Sequence, residues 1–139
     1  MRLPSDLIFR GKRIDSMAWV CGFLHKMDTC GHGYTGFGIQ QQVGNSRPWS
    51  SQVDENTIGQ YTGMTDERGR AIFEGDIVEC WSEGICARGA VCRRVDGLWF
   101  IYPSFQKDTM WGLKPDGGGR TTVKIIGNIH DNIDLLEDR

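Results

Sequence analysis

The chain has no excess of charge: 16 basic and 18 acidic residues leave a formal net charge of −2 over 139 residues. Such a balance exerts no general pull on phosphate backbones, so contact with a polyanion would need a local basic face. Long apolar runs are also missing. Nothing approaches the roughly 20 consecutive apolar residues that a membrane-spanning helix needs, and no stretch resembles a signal-peptide core, so no membrane contact and a cytoplasmic location are expected. Helical periodicity is scarce, since no window of about 12 residues carries an apolar stripe at i, i+3, i+4 and i+7. The cysteines (Cys21, Cys30, Cys80, Cys86 and Cys92) are odd in number and form no C-x-x-C pair. That speaks against a disulfide framework and against a structural zinc knuckle.

Glycine, by contrast, is abundant at 19 residues, against 4 prolines. Glycine without a repeat period points to many tight turns between short strands, and the expected class is all-β. Leu7 to Arg13 and Met17 to Leu24 read as a strand pair closed by Ile14-Asp15-Ser16. Phe37 to Val43 reads as one more strand and Gly44 to Ser51 as a loop, while the layout of residues 25–58 is left open. Asn56 to Thr62 reads as a strand, followed by a turn over Thr65 to Gly69 in which Asp66 caps and Gly69 supplies the permissive backbone. Asp96-Gly97 signals a two-residue hairpin between Ile85–Val95 and Leu98–Tyr102. Thr121 to Ile129 is a β-branched closing strand with a bulge at Gly127-Asn128.

The run QYTGMTDERGRAIFEGDIV, Gln60 to Val78, resembles the signature of the YopX-like family of phage and prophage proteins. Two further segments match in order: Phe9-Arg10-Gly11 with Met17-Ala18-Trp19, and VKIIGNIHDNIDLL from Val123 to Leu136. The signature positions are Gln60, Tyr61, Gly63, Asp66, Gly69, Glu74, Gly75, Asp76, Gly127 and Asn128, and each has a structural reading in turn or strand chemistry. Together with the strand count, the resemblance implies a small SH3-type barrel over residues 58–139. A β-rich N-terminal region, residues 1–57, would pack on it. The resemblance assigns no biochemical role.

Three function classes follow from the residues. A non-enzymatic protein-binding or assembly module would use aromatic residues beyond the needs of a small core, with itself or another phage or host protein as partner. A nucleic-acid-binding accessory protein would use arginines interleaved with aromatics, for which Arg88, Arg93, Arg94, Trp99 and Tyr102 are the candidate surface. These same residue types are also enriched at protein interfaces. A hydrolase would need a carboxylate set such as Asp66, Glu74 and Asp76, or His32, although each of those carboxylates has a turn explanation where it stands. Cys21, Cys30 and His32, with His25 between them, are the nearest approach to a metal cluster, and no cofactor is expected. Arg10, Lys12 and Arg13 form the one tight basic cluster, fitting a solvated strand end or a contact with phosphate or an acidic partner. The assembly module is the leading reading.

Overall fold

Short runs alternating apolar with polar residues, cut by glycine, become eleven strands in the computed structural model, which describes residues 8–29, 34–41, 49–82, 85–102 and 111–137. The all-β class holds; a four-residue helix, α1 (Asp134–Glu137), and one 3-10 turn are the helical pieces among the described residues. The chain divides into two compact units, Met1–Tyr61 and Thr62–Arg139.

The first unit is an antiparallel sheet of β1 (Ile8–Lys12), β2 (Trp19–Thr29), β3 (Tyr34–Gln41), β4 (Trp49–Val53) and the first residues of β5 (Gly59–Thr65). Its strand order is β4-β3-β2-β1-β5. Period-two alternation sends Gly11, Val20, Ile39, Ser51 and Val53 to one face. There Val20, Ile39 and Val53 form a small core, backed by Leu24, Phe37 and Ile58. Three expectations are corrected here. The strand read from Phe37 begins at Tyr34, and Gly38 within it leaves room for neighbouring side chains. A Cβ at Gly38 would lie 2.6 Å from Met27 Sδ and 3.0 Å from His25 Nε2. Trp49 to Ser51 is strand rather than loop, since pairing with Ile39, Gln40 and Gln41 of β3 supplies its backbone partners. Asn56 and Thr57 lie in the 3-10 turn Glu55–Thr57, where the Asp54 side chain caps Asn56 N–H at 3.0 Å, so β5 starts only at Gly59.

Thr57 ties that turn to β1. Its buried hydroxyl accepts Lys12 N–H at 2.9 Å and donates to Asp54 O at 2.6 Å, while Asp54 N–H donates to Lys12 O.

In the second unit, β5 continues beside β6 (Ala71–Phe73). The other strands are β7 (Asp76–Ser82), β8 (Ile85–Arg93), β9 (Trp99–Tyr102), β10 (Trp111–Gly112) and β11 (Lys124–Asn128). They make a sheet of order β10-β9-β8-β7-β11. Met64, Ile72, Val78, Cys80, Ala87, Val91, Ile101, Leu113 and Val123 form the core, with Trp99 and Ile125 packed against it. Burial raises the Cys80 thiol pKa, as suits a thiol in an apolar core. The bulge in β11 falls between Ile125 and Gly127. The Asp96-Gly97 loop is one residue longer than a two-residue hairpin. Arg94 pairs with Leu98 through Arg94 N–H to Leu98 O, and Gly97 N–H returns to Arg94 O. With Gly97 at φ 90°, this is a turn ending in a glycine bulge.

The same backbone turn occurs at Asp66–Arg70 and Asp116–Arg120. In both, aspartate N–H donates to the arginine carbonyl and the glycine before the arginine donates back to the aspartate carbonyl. Gly69 and Gly119 sit at φ 82° and 86°, where a side chain would be strained. In both, aspartate Oδ1 accepts two amides: Arg68 and Arg70 for Asp66, Gly118 and Arg120 for Asp116. The two turns lie side by side, since Thr65 N–H donates to Gly119 O and Thr121 N–H to Thr65 O.

Asp66 is fully buried, and its second oxygen accepts Arg70 Nε at 2.9 Å and Ile125 N–H at 3.4 Å. Burial alone would raise its pKa. The amides of Arg70, Ile125 and Arg68 and the Arg70 side chain outweigh burial and hold it below the usual carboxylate value. A depressed folded pKa contributes stability that is present above the unfolded value and lost as pH falls through the folded one. Replacing Asp66 by Asn turns an acceptor into an amide facing Arg70 and Ile125, so D66N should lose about 3 kcal/mol in urea unfolding at pH 7. The penalty should shrink in acid, where the wild-type carboxyl also becomes protonated; an equal penalty at pH 7 and in strong acid would refute the assignment. In the first unit, Thr57→Val should cost about 1–2 kcal/mol by leaving Lys12 N–H without its acceptor, and amide exchange at Lys12 should speed up.

Candidate binding surface

The face of the first sheet opposite its core is built by the β1–β2 register. Lys12 pairs with Trp19, Arg10 with Cys21 and Ile8 with Phe23. Period two therefore puts Arg10 and Lys12 on the same face as Trp19, Cys21 and Phe23. The Arg10 guanidinium carbon lies 4.7 Å and the Lys12 ammonium 5.4 Å from the Trp19 ring centroid, within reach of the ring's quadrupole. β5 extends the face, because Gly59 is opposite Arg10 and Tyr61 follows two residues later. On the far side His25 Nε2 meets Ser50 Oγ at 2.9 Å. Phe23 is 49% exposed, and Cys21, Gln40 and Ser50 are exposed as well.

Within β1 to β5 no aspartate or glutamate occupies this face among the described residues, and Asp54, whose N–H donates to Lys12 O, borders it where β4 ends. The charge distribution along the chain agrees: residues 1–61 hold 6 Lys and Arg against 5 Asp and Glu, and residues 62–139 hold 10 against 13. Arg13 stands apart from Arg10 and Lys12. It bonds Asp15 at 2.8 Å and its guanidinium carbon lies 5.8 Å from the Trp49 ring centroid. Of the basic cluster read from sequence, then, two members share the aromatic face and the third does not.

The residues proposed from sequence in β8 and β9 are spread out. Arg88 is half-buried, pairs with Glu79 at 2.8 Å and donates to Leu135 O at 3.3 Å. Arg93 is in register with Trp99, whose ring packs against the core. Tyr102 is in register with Ala90, on the opposite face, and its ring centroid is 6.4 Å from that of Phe100. Arg94 lies in the turn, 3.4 Å from Asp96.

The carboxylates occupy separate turns. Asp66 is bound as described above, and buried Asp76 accepts Phe73 N–H at 2.8 Å. Glu74 is half-buried next to Gly75, which has a φ of 92°. Gln60 lies on β5 opposite Phe9, and Gly63, at φ 83°, is in the same strand. Gly127 follows the bulge, and Asn128 Oδ1 accepts the amides of His130 and Asp131 at 2.9 Å. Cys30 and His32 lie outside the described residues, and among those described no group of three or more His, Cys, Asp and Glu is placed to hold a metal ion. Among the described residues no helix is long and apolar enough to cross a membrane.

Sequence reading found the Arg10–Arg13 cluster but did not join it to Trp19, Phe23 and Tyr61. The missing datum was register: placing Lys12 opposite Trp19 requires the length of the Arg13–Ala18 turn, in which Arg13 N–H donates to Ala18 O.

Among curated proteins no match is found. The family model described as YopX protein matches residues 9–137, nearly the whole chain, with both units included. By that match the chain belongs to the YopX protein family.

Proposed function

We propose that the protein is a non-enzymatic binding and assembly module that holds a negatively charged partner on the β1–β2 face of its first unit. One observation carries this reading: Arg10 and Lys12 are both set against the Trp19 ring, beside the exposed Phe23, on one face of the β1–β2 pair. Aromatic and arginine side chains together are what interaction surfaces are enriched in. The buried carboxylates Asp66 and Asp76 receive backbone amides, which gives them a folding role without any reaction. We read the second unit as an SH3-type barrel; its five-stranded antiparallel sheet and single core support that reading. A second copy of the chain, or another phage or host protein, would fit such a face if it offered acidic groups.

Light scattering after size exclusion, at low and high salt and with absorbance at 260 and 280 nm, tests the proposal. At low salt the wild type should carry mass beyond its own 15.7 kDa, as an oligomer or with a bound partner, and should shed it at high salt. Lys12→Glu, with an unchanged circular dichroism spectrum, should lose the extra mass at low salt. A mass of 15.7 kDa at every salt, or extra mass indifferent to both salt and Lys12→Glu, would overturn the proposal.

A further inference from the structure

We propose a second binding site in the first unit, a hollow that takes a lysine or arginine side chain of a partner protein. It measures about 360 Å³ and lies between the β1–β2 turn and the 3-10 turn. Phe37 and Val53, in register on β3 and β4, form its floor. Ile14 and Met17 form one lip, and Asp54 and Glu55 the other. The site is separate from the β1–β2 face: Val53 is opposite Arg13, so strand alternation turns it away from the side of Arg10 and Lys12.

The backbone is strained at this place. Met17 has a φ of 61°, in the left-handed region that glycine adopts at no steric cost. Its N–H donates to Arg13 O at 2.9 Å, within the turn that Arg13 N–H closes on Ala18 O. Glycine would close the same turn with less strain. What methionine adds is a side chain at the lip, 52% exposed beside Ile14 at 49%. It has no core to fill there, so a partner is what would give the strained side chain a purpose. Its unbranched thioether adapts to the shape it meets.

Charge selects the ligand. No lysine, arginine or histidine lines the hollow among the described residues. Asp54 Oδ1 accepts Asn56 N–H at 3.0 Å, and Asp54 stands opposite Lys12 where β4 ends. Glu55 is exposed, and its carboxylate has no hydrogen bond or ion pair among the described residues. The nearest cations are engaged elsewhere: Arg13 bonds Asp15 at 2.8 Å, and the Lys12 ammonium is 5.4 Å from the Trp19 ring centroid. An apolar floor with a free carboxylate at its edge fits an apolar stem ending in a cation. An acidic ligand would meet like charge. Ile14 and Met17 also stand open beside the hollow, and a protein surface covers them where a free amine does not.

The experiment is an amide chemical-shift titration of the labelled full chain with short capped peptides. They differ only at a central residue flanked by leucines: lysine, arginine, norleucine or glutamate. Spermidine serves as a free amine. The lysine or arginine peptide should move Ile14, Met17, Phe37, Val53 and Glu55 most, and less so as salt is added. Norleucine at the centre, or Glu55→Gln in the protein, should weaken binding about threefold. Glutamate should bind most weakly. Met17→Gly should weaken the basic peptide about fivefold, while its thermal-unfolding midpoint stays the same or rises.

Equal affinity for the basic and norleucine peptides, or of wild type and Glu55→Gln, would overturn the charge selection and the proposal with it. Wild-type binding in Met17→Gly would remove the lip from the site and equally overturn it. Spermidine binding as tightly as the basic peptides would make the ligand a free amine and overturn the partner protein. So would the absence of shifts at Ile14, Met17 and Glu55 with either basic peptide at low salt. The anionic-partner reading of the β1–β2 face is tested separately, by light scattering and Lys12→Glu, and neither result decides the other.

Discussion

A carboxylate removed from water has to replace a hydration shell with fixed donors, and the second unit is arranged around one such exchange at Asp66. Three main-chain amides and the Arg70 guanidinium converge on its two oxygens. Those donors come from the turn after β5 and from β11. Arg70 Nη2 also donates to Ile125 O at 2.9 Å, so one ion pair closes a loop of 55 residues in sequence. Without the charge, Arg70 would lose its anchor and the amide of Ile125 an acceptor. The net strength of such a buried pair lies less in its Coulomb energy than in the cost of leaving either partner alone.

The neighbouring turn at Asp116 repeats the device at the surface. There the backbone amides of Arg120 and Gly118 lower the aspartate pKa with little opposition from burial. The two turns have the same amide pattern but different surroundings. The buried copy is a structural anchor; the exposed one shapes a loop and leads the chain through Thr121 back to β5. Much of the YopX signature is thereby explained by folding. Asp66, Gly69, Gly75 and Asp76 make turns, and Gly127 and Asn128 shape the end of β11. A signature built from turn chemistry identifies the fold and leaves binding chemistry to other residues, which we propose lie on β1 and β2.

Local chemistry was legible in the sequence. Asp66 as a cap, Gly69 as its permissive partner and the bulge near Gly127 each follow from a few adjacent residues, and each is found. What depends on distant partners was not legible. Ile125 as a donor to Asp66 lies 59 residues away, and Trp49 becomes strand through a partner eight residues earlier. The candidate site shows the same divide. Of Arg88, Arg93, Arg94, Trp99 and Tyr102, close in sequence, Arg93 and Trp99 meet in register, while Tyr102 takes the opposite face from Trp99 and Arg88 and Arg94 are held in ion pairs. Arg10, Lys12, Trp19 and Phe23 span a turn, and only the register brings them to one face. The close approach of Met27 and His25 at Gly38 is likewise a matter of distant partners, since both come from the neighbouring strand.

The central claim is that the chain acts through the β1–β2 face. Its most direct test is amide chemical-shift mapping of the labelled full chain during titration with linear polyphosphate. The account predicts perturbations concentrated at Arg10, Lys12, Trp19, Cys21 and Phe23, fading as salt is added. Perturbations centred on Arg93, Arg94 and Trp99, or none on β1 and β2 at saturating ligand, would contradict it.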